Sequence, residues 1–418
     1  MKKIAVIGVG TAGLLSVSHM LAYLPEEWQV FSIHDPNIPI LGIGESTSVA
    51  IPVNFFKSTG FNIFLDSDKL DARMKLGAKY VGWREWDWYA KLSPVSYAIN
   101  FNNFGLKDFC YERWPKIWGN KFVEIQGKLV NLINEDKSAK IIFEDGRKFD
   151  FDFVIDCRGF PDDYTNYDMV NSVTINHGLI NPLNKPGTWD FTYQIAHRNG
   201  WMFGLPLNSR QGWGYLYNDR ITDRADAIDD ISERFKTKKE DLKLREFSWK
   251  NYRAKKYFDG RIAVNGNRAL FYEPIEALAG GFYHKVCKFV YSRIIEDMPE
   301  QQCNDNLTKT AVDIELLLAY VYHGGSTYDT PFWQNAKNKA NDLLTNSRYS
   351  EYFKEHMDYL KAMPPSQRSV DEENIIFPPT IWEDFDHGLG YHYLTSPEPN
   401  VKHPRFDPER EFSNIRIS

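Results

Sequence analysis

The chain has 418 residues and a formal net charge of −6. That is long enough for one large α/β core or two interleaved domains without disulfide staples. No basic run marks a nucleic-acid surface, and no apolar stretch reaches the roughly 20 residues of a membrane span.

Hydrophobic residues make up 43 % and charged residues 25 %, as in ordinary globular proteins. The 12 Trp, 23 Tyr and 28 Phe fill cores but also suit pockets for flat aromatic ligands. Cys110, Cys157, Cys287 and Cys303 form no CxxC pair, so no disulfide framework is expected. The histidines show no HExxH spacing, and no metal is expected. Met1-Lys2-Lys3 before an apolar run imitates a signal peptide, but glycines interrupt the run and no small-residue cleavage site follows. The expectation is a cytoplasmic, reducing setting.

In chain order, residues 3–8 read as a short buried strand, 11–24 as a helix stopped by Pro25, and about 28–34 as a second strand, a βαβ opening. Residues 68–90 suggest helix passing into strand. Segments 121–133, 138–145 and 148–156 read as strands, and 186–218 as several more. A polar helix is expected over about 222–246, a strand at 261–265, a helix near 277–295 and further helices from 305 to 364. The tail beyond 396 reads as a polar extended arm. The fold class is α/β: a Rossmann-like FAD-binding core over 1–300, with a substrate sheet inserted at about 160–255, and a mainly helical part over 301–418.

Gly8-Val9-Gly10-Thr11-Ala12-Gly13 is a GxGxxG between strand and helix. Its first glycine permits the turn, the second lets a pyrophosphate approach the backbone, and the third packs helix on strand, so Gly8, Gly10, Thr11, Ala12 and Gly13 are cofactor candidates. A ribose-binding acid is expected about 20 residues on. His34 stands there with Asp35 beside it; either could meet the ribose, and Asp35 equally suits a turn before proline. Residues 152–160 form an apolar strand ending in Asp156-x-x-Gly159, like the second flavin-contacting strand of FAD enzymes, and favour FAD over NAD.

Further segments resemble the flavin-dependent tryptophan halogenases. Gly42-Ile43-Gly44-Glu45-Ser46-Thr47 resembles that family's GxGEAT flavin loop, which adds Gly44, Glu45 and Ser46. Leu76 to Trp83 resembles the segment with the catalytic lysine, here Lys79. Gly200 to Leu207 is similar to WxWxIP, with Phe203 replacing the second Trp. Phe271-Tyr272-Glu273-Pro274-Ile275-Glu276-Ala277 is similar to FVEPLES, whose second glutamate maps to Glu276. Tyr328 to Trp333 and Gly388 to Tyr391 also resemble family segments. The match runs from about residue 4 to 391 in the family's order. The chain is shorter than the tryptophan halogenases, and the missing length falls in the substrate-covering part.

The resemblance implies that reduced FAD (FADH2), supplied by a separate flavin reductase, reacts with O2 so that a bound halide becomes hypohalous acid. That acid passes through a tunnel to Lys79, where a small aromatic substrate is halogenated. Lys79 would hydrogen-bond the acid, or be N-halogenated if desolvation lowered its pKa. Glu276 would polarise the reagent or take the ring proton. Trp201, Phe203 and Pro206 would wall the tunnel, Leu278 and Ala279 amides would hold halide, and Asn267 and Gly280 join the cofactor set. The family's Ser-Thr-Gly halide stretch is Ala277-Leu278-Ala279 here, without hydroxyls, so bromide or iodide should serve at least as well as chloride. A flavin monooxygenase working without halide and a non-catalytic FAD-binding protein remain the alternatives. A homo-oligomer is compatible with the sequence.

Overall fold

A computed structural model describes residues 1–42, 45–92, 96–362 and 379–394. The proposed arm beyond 396 lies outside them. The chain divides into two compact units. The first holds Met1–Ala72, Phe101–Met169 and Tyr252–Ala311; the second holds Arg73–Asn100, Val170–Asn251 and Val312–Ser418.

The first unit is built on a six-stranded sheet in the order Phe258–Asp259, Ile262–Val264, Phe153–Asp156, Lys2–Ile7, Trp28–His34, Phe122–Gln126. All neighbours pair in parallel except the Phe258–Asp259 edge. Residues Ile4 to Ile7 are buried on both faces, as a continuous apolar run requires of a central parallel strand. Ala5, Ile7, Phe31, Ile33 and Val154 share one core with the Ala139–Phe143 and Lys148–Phe151 strands.

The Thr11–Tyr23 helix is buried along most of its length because other helices cover it. It stops at Leu24, whose extended backbone (ψ 144°) is what a following proline imposes. The helix Asn103–Trp118 was not anticipated. Its signals were present: Asn102 caps Phe104 N, and the buried Leu106, Phe109, Cys110 and Trp114 keep helical spacing.

Between helices of this unit, His19 Nδ1 lies 3.0 Å from Asn54 Oδ1, and Asn54 Nδ2 lies 3.1 Å from His284 Nδ1. Burial first, then nearby lysines for His19 and the facing His19 followed by lysines for His284, hold the imidazoles at about 4 for His19 and about 3 for His284. Both are therefore neutral when folded, and the unfolded chain takes up protons first. Their stabilisation is complete above about pH 6.5 and is lost as pH falls toward 4 and 3, by roughly 1.4 kcal/mol per pH unit for each. Urea midpoints should drop between pH 7 and pH 4.5, and less in His284→Gln. A variant falling as steeply as the parent would exclude this source.

The second unit has a seven-stranded sheet ordered Arg245–Ser248, His177–Ile180, Gln211–Tyr217, Gly200–Pro206, Thr192–His197, Gly77–Val81, Trp88–Lys91. Pairing is antiparallel except between Thr192–His197 and Gly77–Val81. The Arg224–Phe235 helix covers one face through Ala227 and Ile231, against Leu179, Ile195, Met202 and Tyr215. The expected helix over 222–246 is thus shorter. Lys236 takes a left-handed cap (φ 51°), and Arg245–Ser248 joins the sheet as its edge strand. Residues 68–90 pass from helix into strand as expected: the helix Ile63–Leu70 ends at left-handed Asp71, and the strands Arg73–Lys75, Gly77–Val81 and Trp88–Lys91 follow. The helices Pro331–Asn346 and Ser350–Ala362 follow the expected pattern.

The four cysteines are buried and free. Among the described residues no helix is long and apolar enough to cross a membrane, and no cluster of three or more His, Cys, Asp or Glu could hold a metal.

Candidate active site

In the first unit, Gly8 (φ 108°) makes the turn out of the first strand, and a Cβ there would lie 2.6 Å from Cys157 O. A Cβ on Gly13 would lie 2.0 Å from Gly8 O, so the third glycine permits the helix-to-strand contact. Above Gly10 there is no atom within 4 Å of where a Cβ would point. Gly10 is the N-cap without a side-chain cap, and no acid stands in the first helical turn. The amides of Thr11, Ala12 and Gly13 precede the first intrahelical bond, Leu14 N to Gly10 O (3.0 Å). An open cradle, unspent amides and no repelling carboxylate fit the phosphates of a dinucleotide. Thr11 differs in its side chain, which donates to Asn103 Oδ1 (3.0 Å).

His34 ends the second strand but is only 4 % exposed. Its Nε2 meets Glu124 Oε1 at 2.9 Å, and its ring abuts Tyr111 edge-on. A carboxylate therefore does stand beside this strand end, but it comes from the neighbouring Phe122–Gln126 strand, which strand-end spacing could not reveal. Asp35 accepts from Asn37 N (2.9 Å) in a turn. Asp156 accepts from Arg158 N, Nε and Nη2 (3.1, 2.9 and 2.8 Å), and Gly159 follows in the left-handed region (φ 71°). Asn267 accepts from Tyr283 OH (3.0 Å), and the preceding Gly266 sits against Ala12, beside the phosphate loop.

Gly44 lies outside the described residues. Glu45 is buried, and its carbonyl accepts from Phe101 N (2.9 Å). The loop that follows reaches the Leu278–Ile295 helix: a Cβ on Gly280 would come 3.6 Å from Ser48 N and 3.7 Å from Ser48 Oγ. A hydroxyl invisible to motif comparison thus stands beside the first turn of that helix. Glu276 (φ 56°) and Ala277 (φ 54°) are both left-handed, which costs about 1–3 kcal/mol each for residues with a Cβ. This kink turns the chain into the helix, whose N-cap Ala277 has no side-chain cap. The amides of Leu278 and Ala279 open its first turn, where an anion is stabilised.

In the second unit, Lys79 is central in the Gly77–Val81 strand, opposite Tyr89 on one side and Tyr193 on the other. Its Nζ lies 3.8 Å from Asp87 Oδ2 and 5.2 Å from the Tyr89 ring centre. Burial lowers its pKa, but the Tyr89 hydrogen bond and the Tyr89, Tyr193 and Asp87 charges outweigh it, and the net shift is upward. That direction favours the charged, hydrogen-bond-donating form of the amine.

The same row of the sheet continues through Gly204 to Trp213. A Cβ on Gly204 would lie 2.3 Å from the Trp213 ring, so its absence lets Tyr193 and Trp213 stack (5.8 Å, 20°). Strand alternation puts Trp201 and Phe203 on the opposite face from Lys79. Trp201 donates to Tyr322 OH (2.7 Å), Phe203 lies over Gly214, and Pro206 sits against Gly187. Of the three tunnel candidates, Trp201 and Phe203 lie on the face away from the lysine, and Pro206, two residues from Gly204, lies on the lysine's face.

A parallel sheet with a glycine phosphate loop on its first strand is the framework of a dinucleotide-binding α/β oxidoreductase. Residues 3–105 and 84–398 match the family model described as "Tryptophan halogenase". The tryptophan 7-halogenase RebH of Lentzea aerocolonigenes is 23 % identical over 86 % of this chain and 82 % of its own length. The tryptophan 6-halogenase ThaL of Streptomyces albogriseolus is 19 % identical over 90 % of this chain and 85 % of its own. A tryptophan 6-halogenase structure from Streptomyces toxytricini shares the fold (TM-score 0.77, 17 % identity, 93 % of this chain and 90 % of that one). The chain belongs to the tryptophan halogenase family and is a flavin-dependent halogenase, an enzyme of the oxidoreductase class.

Proposed function

We propose that this halogenase uses FADH2 from a separate reductase, together with O2, and halogenates small electron-rich aromatics such as phenols, anilines and indoles. The observation that carries this reading is Lys79, a half-enclosed amine set among tyrosines in the segment that resembles the family's reactive one. The balance is FADH2 + O2 + X⁻ + ArH + H⁺ → FAD + ArX + 2 H2O. Oxygen takes four electrons, two from the reduced flavin and two from the halide, which thereby becomes electrophilic.

The protein's own groups do the rest. The amides of Gly10 to Gly13 receive the cofactor phosphates, with Gly8, Asp156, Gly159, Asn267, Glu45 and Ser46 around them. His34 is too buried to touch the ribose directly, and Glu124, with its side chain 33 % exposed, is the better contact. The Leu278 and Ala279 amides hold the halide. Lys79 donates a hydrogen bond to the hypohalous acid. Glu276 takes the proton that leaves the ring. Glu276→Gln keeps the shape but not the basicity, so turnover should fall roughly 10²-fold with FAD affinity unchanged. Unchanged turnover would remove Glu276 from the chemistry.

Ala277, Leu278 and Ala279 offer no side-chain donor, and an apolar surround penalises the smallest anion most. Bromide or iodide should therefore be used at least as well as chloride. Fewer substrate-covering residues leave fewer polar groups to fix one orientation, so several substrates should be accepted. Equal chloride, bromide and iodide over a panel of phenols, anilines and indoles tests both halves, with an enzyme-free control for oxidised iodide. Dominant chlorination of tryptophan alone would overturn the reading.

A further inference from the structure

We propose that Asp87, Tyr89 and Tyr193 are positioning residues for Lys79, holding its amine as an ammonium hydrogen-bond donor on the aromatic face of the second unit's sheet. The proposal rests on the reading of Lys79 as the reactive amine. It adds the form in which the amine acts and the residues that fix it.

Register is the first argument. Lys79 is paired directly with Tyr89 on one neighbouring strand and Tyr193 on the other, so all three side chains project from one face. Four carbons and an amine thus lie between two phenol rings. Tyr89 is packed edge-on to Phe191 (5.8 Å), and Tyr193 edge-on to Phe191 (4.9 Å) and stacked on Trp213, so neither ring is free to swing aside. Glycine at 204 allows that stacking.

Charge is the second. Among the described residues the titratable and charged groups acting on Lys79 are Tyr89, Tyr193 and Asp87. Each favours the cation: the Asp87 carboxylate lies 3.8 Å away, Tyr89 both hydrogen-bonds the amine and presents its ring face 5.2 Å from Nζ, and the Tyr193 phenol stands on the other side. No cation opposes them in that set. The direction of the lysine's titration agrees with this geometry.

The chemistry follows from the charge. Hypohalous acid can form an N–X bond only at an amine lone pair, and an ammonium has none. The ammonium instead donates to the oxygen of the acid and makes hydroxide the better leaving group. In HOX + ArH → ArX + H2O, the C–X bond forms as the O–X bond breaks. Hydroxide leaves as water with the ammonium's proton, the ring's C–H proton passes to Glu276, and both groups return to their starting forms by exchange with solvent. The half-exposed Asp87 keeps the ammonium oriented between turnovers.

The test is the titration of Lys79 in the full chain without flavin, read by competitive acetylation across pH and peptide mass spectrometry. The expected result is a Lys79 midpoint above the ordinary lysine value of about 10.4. In Asp87→Asn with Tyr89→Phe the midpoint should fall by roughly one pH unit. The alkaline limb of the halogenation rate should move down by a similar amount, with KM for substrate little changed. The single variants Tyr89→Phe and Asp87→Asn give the same direction if the double variant folds poorly. A parent midpoint at or below the ordinary lysine value of about 10.4, or one that neither substitution moves, overturns the proposal. Failure of the functional reading is distinguishable: Lys79→Ala would then still halogenate whatever the titration showed.

Discussion

Lys79→Ala should abolish halogenation, lowering product formation at least about 10³-fold, while FAD affinity and thermal stability stay close to the parent's. The size follows from the place of the amine. It is the cation held opposite Tyr89 and Tyr193, and alanine removes the only donor that the reading assigns to the reagent. The small effect elsewhere follows from the same register. Backbone pairing of the Gly77–Val81 strand does not depend on the side chain, and Ala78 and Tyr80, which face the other way, keep their burial. The phosphate loop lies in the other unit, so flavin titration should be unaffected. Product by mass spectrometry, a flavin binding curve and a melting curve check the three claims. Loss of flavin binding would mean that the residue serves the cofactor or the fold; retained halogenation would remove it from the mechanism.

The second and third glycines of the phosphate loop should fail in different ways when replaced by alanine. Gly13→Ala puts a methyl 2.0 Å from Gly8 O, a backbone atom in the turn, so helix and strand must separate. Overpacking of this kind costs about 3 kcal/mol, and the variant should melt well below the parent and bind no FAD. Gly10→Ala meets nothing within 4 Å, so stability should stay within about 0.5 kcal/mol. Its methyl occupies the space through which the pyrophosphate nears the amides, and FAD affinity should fall at least about tenfold. Calorimetric melting and flavin titration of both variants separate the effects. Full FAD affinity in Gly10→Ala would place the phosphates elsewhere.

Much of this was legible because some positions tolerate few alternatives. A doubly buried strand, three glycines and a helix stopped by Pro25 specify a βαβ opening from local chemistry alone, and the structure has it at Lys2–Ile7, Thr11–Tyr23 and Trp28–His34. The lysine and glutamate segments were legible only by resemblance, since a lone Lys or Glu carries no spacing signal. Three things were hidden because they depend on long-range pairing. Glu124 reaches His34 from a strand about 90 residues later. The aromatic row around Lys79 exists only once five strands are in register. That register also sets Trp201 and Phe203 on the opposite face, which no motif of consecutive letters displays. The helix Arg224–Phe235 was drawn too long because polar residues after Phe235 carry no stop signal beyond the left-handed cap at Lys236.

The most direct test of the central claim is to omit the halide. Purified protein, a flavin reductase, FAD, NADH and O2 are incubated with an aromatic panel, with and without bromide, and products are read by mass spectrometry. The account predicts a brominated aromatic that requires bromide, reductase and Lys79 together, and no oxidised product in its place when bromide is withheld. Hydroxylation continuing at an undiminished rate without halide, and no halogenated product with it, would contradict the account and identify a monooxygenase on the same fold.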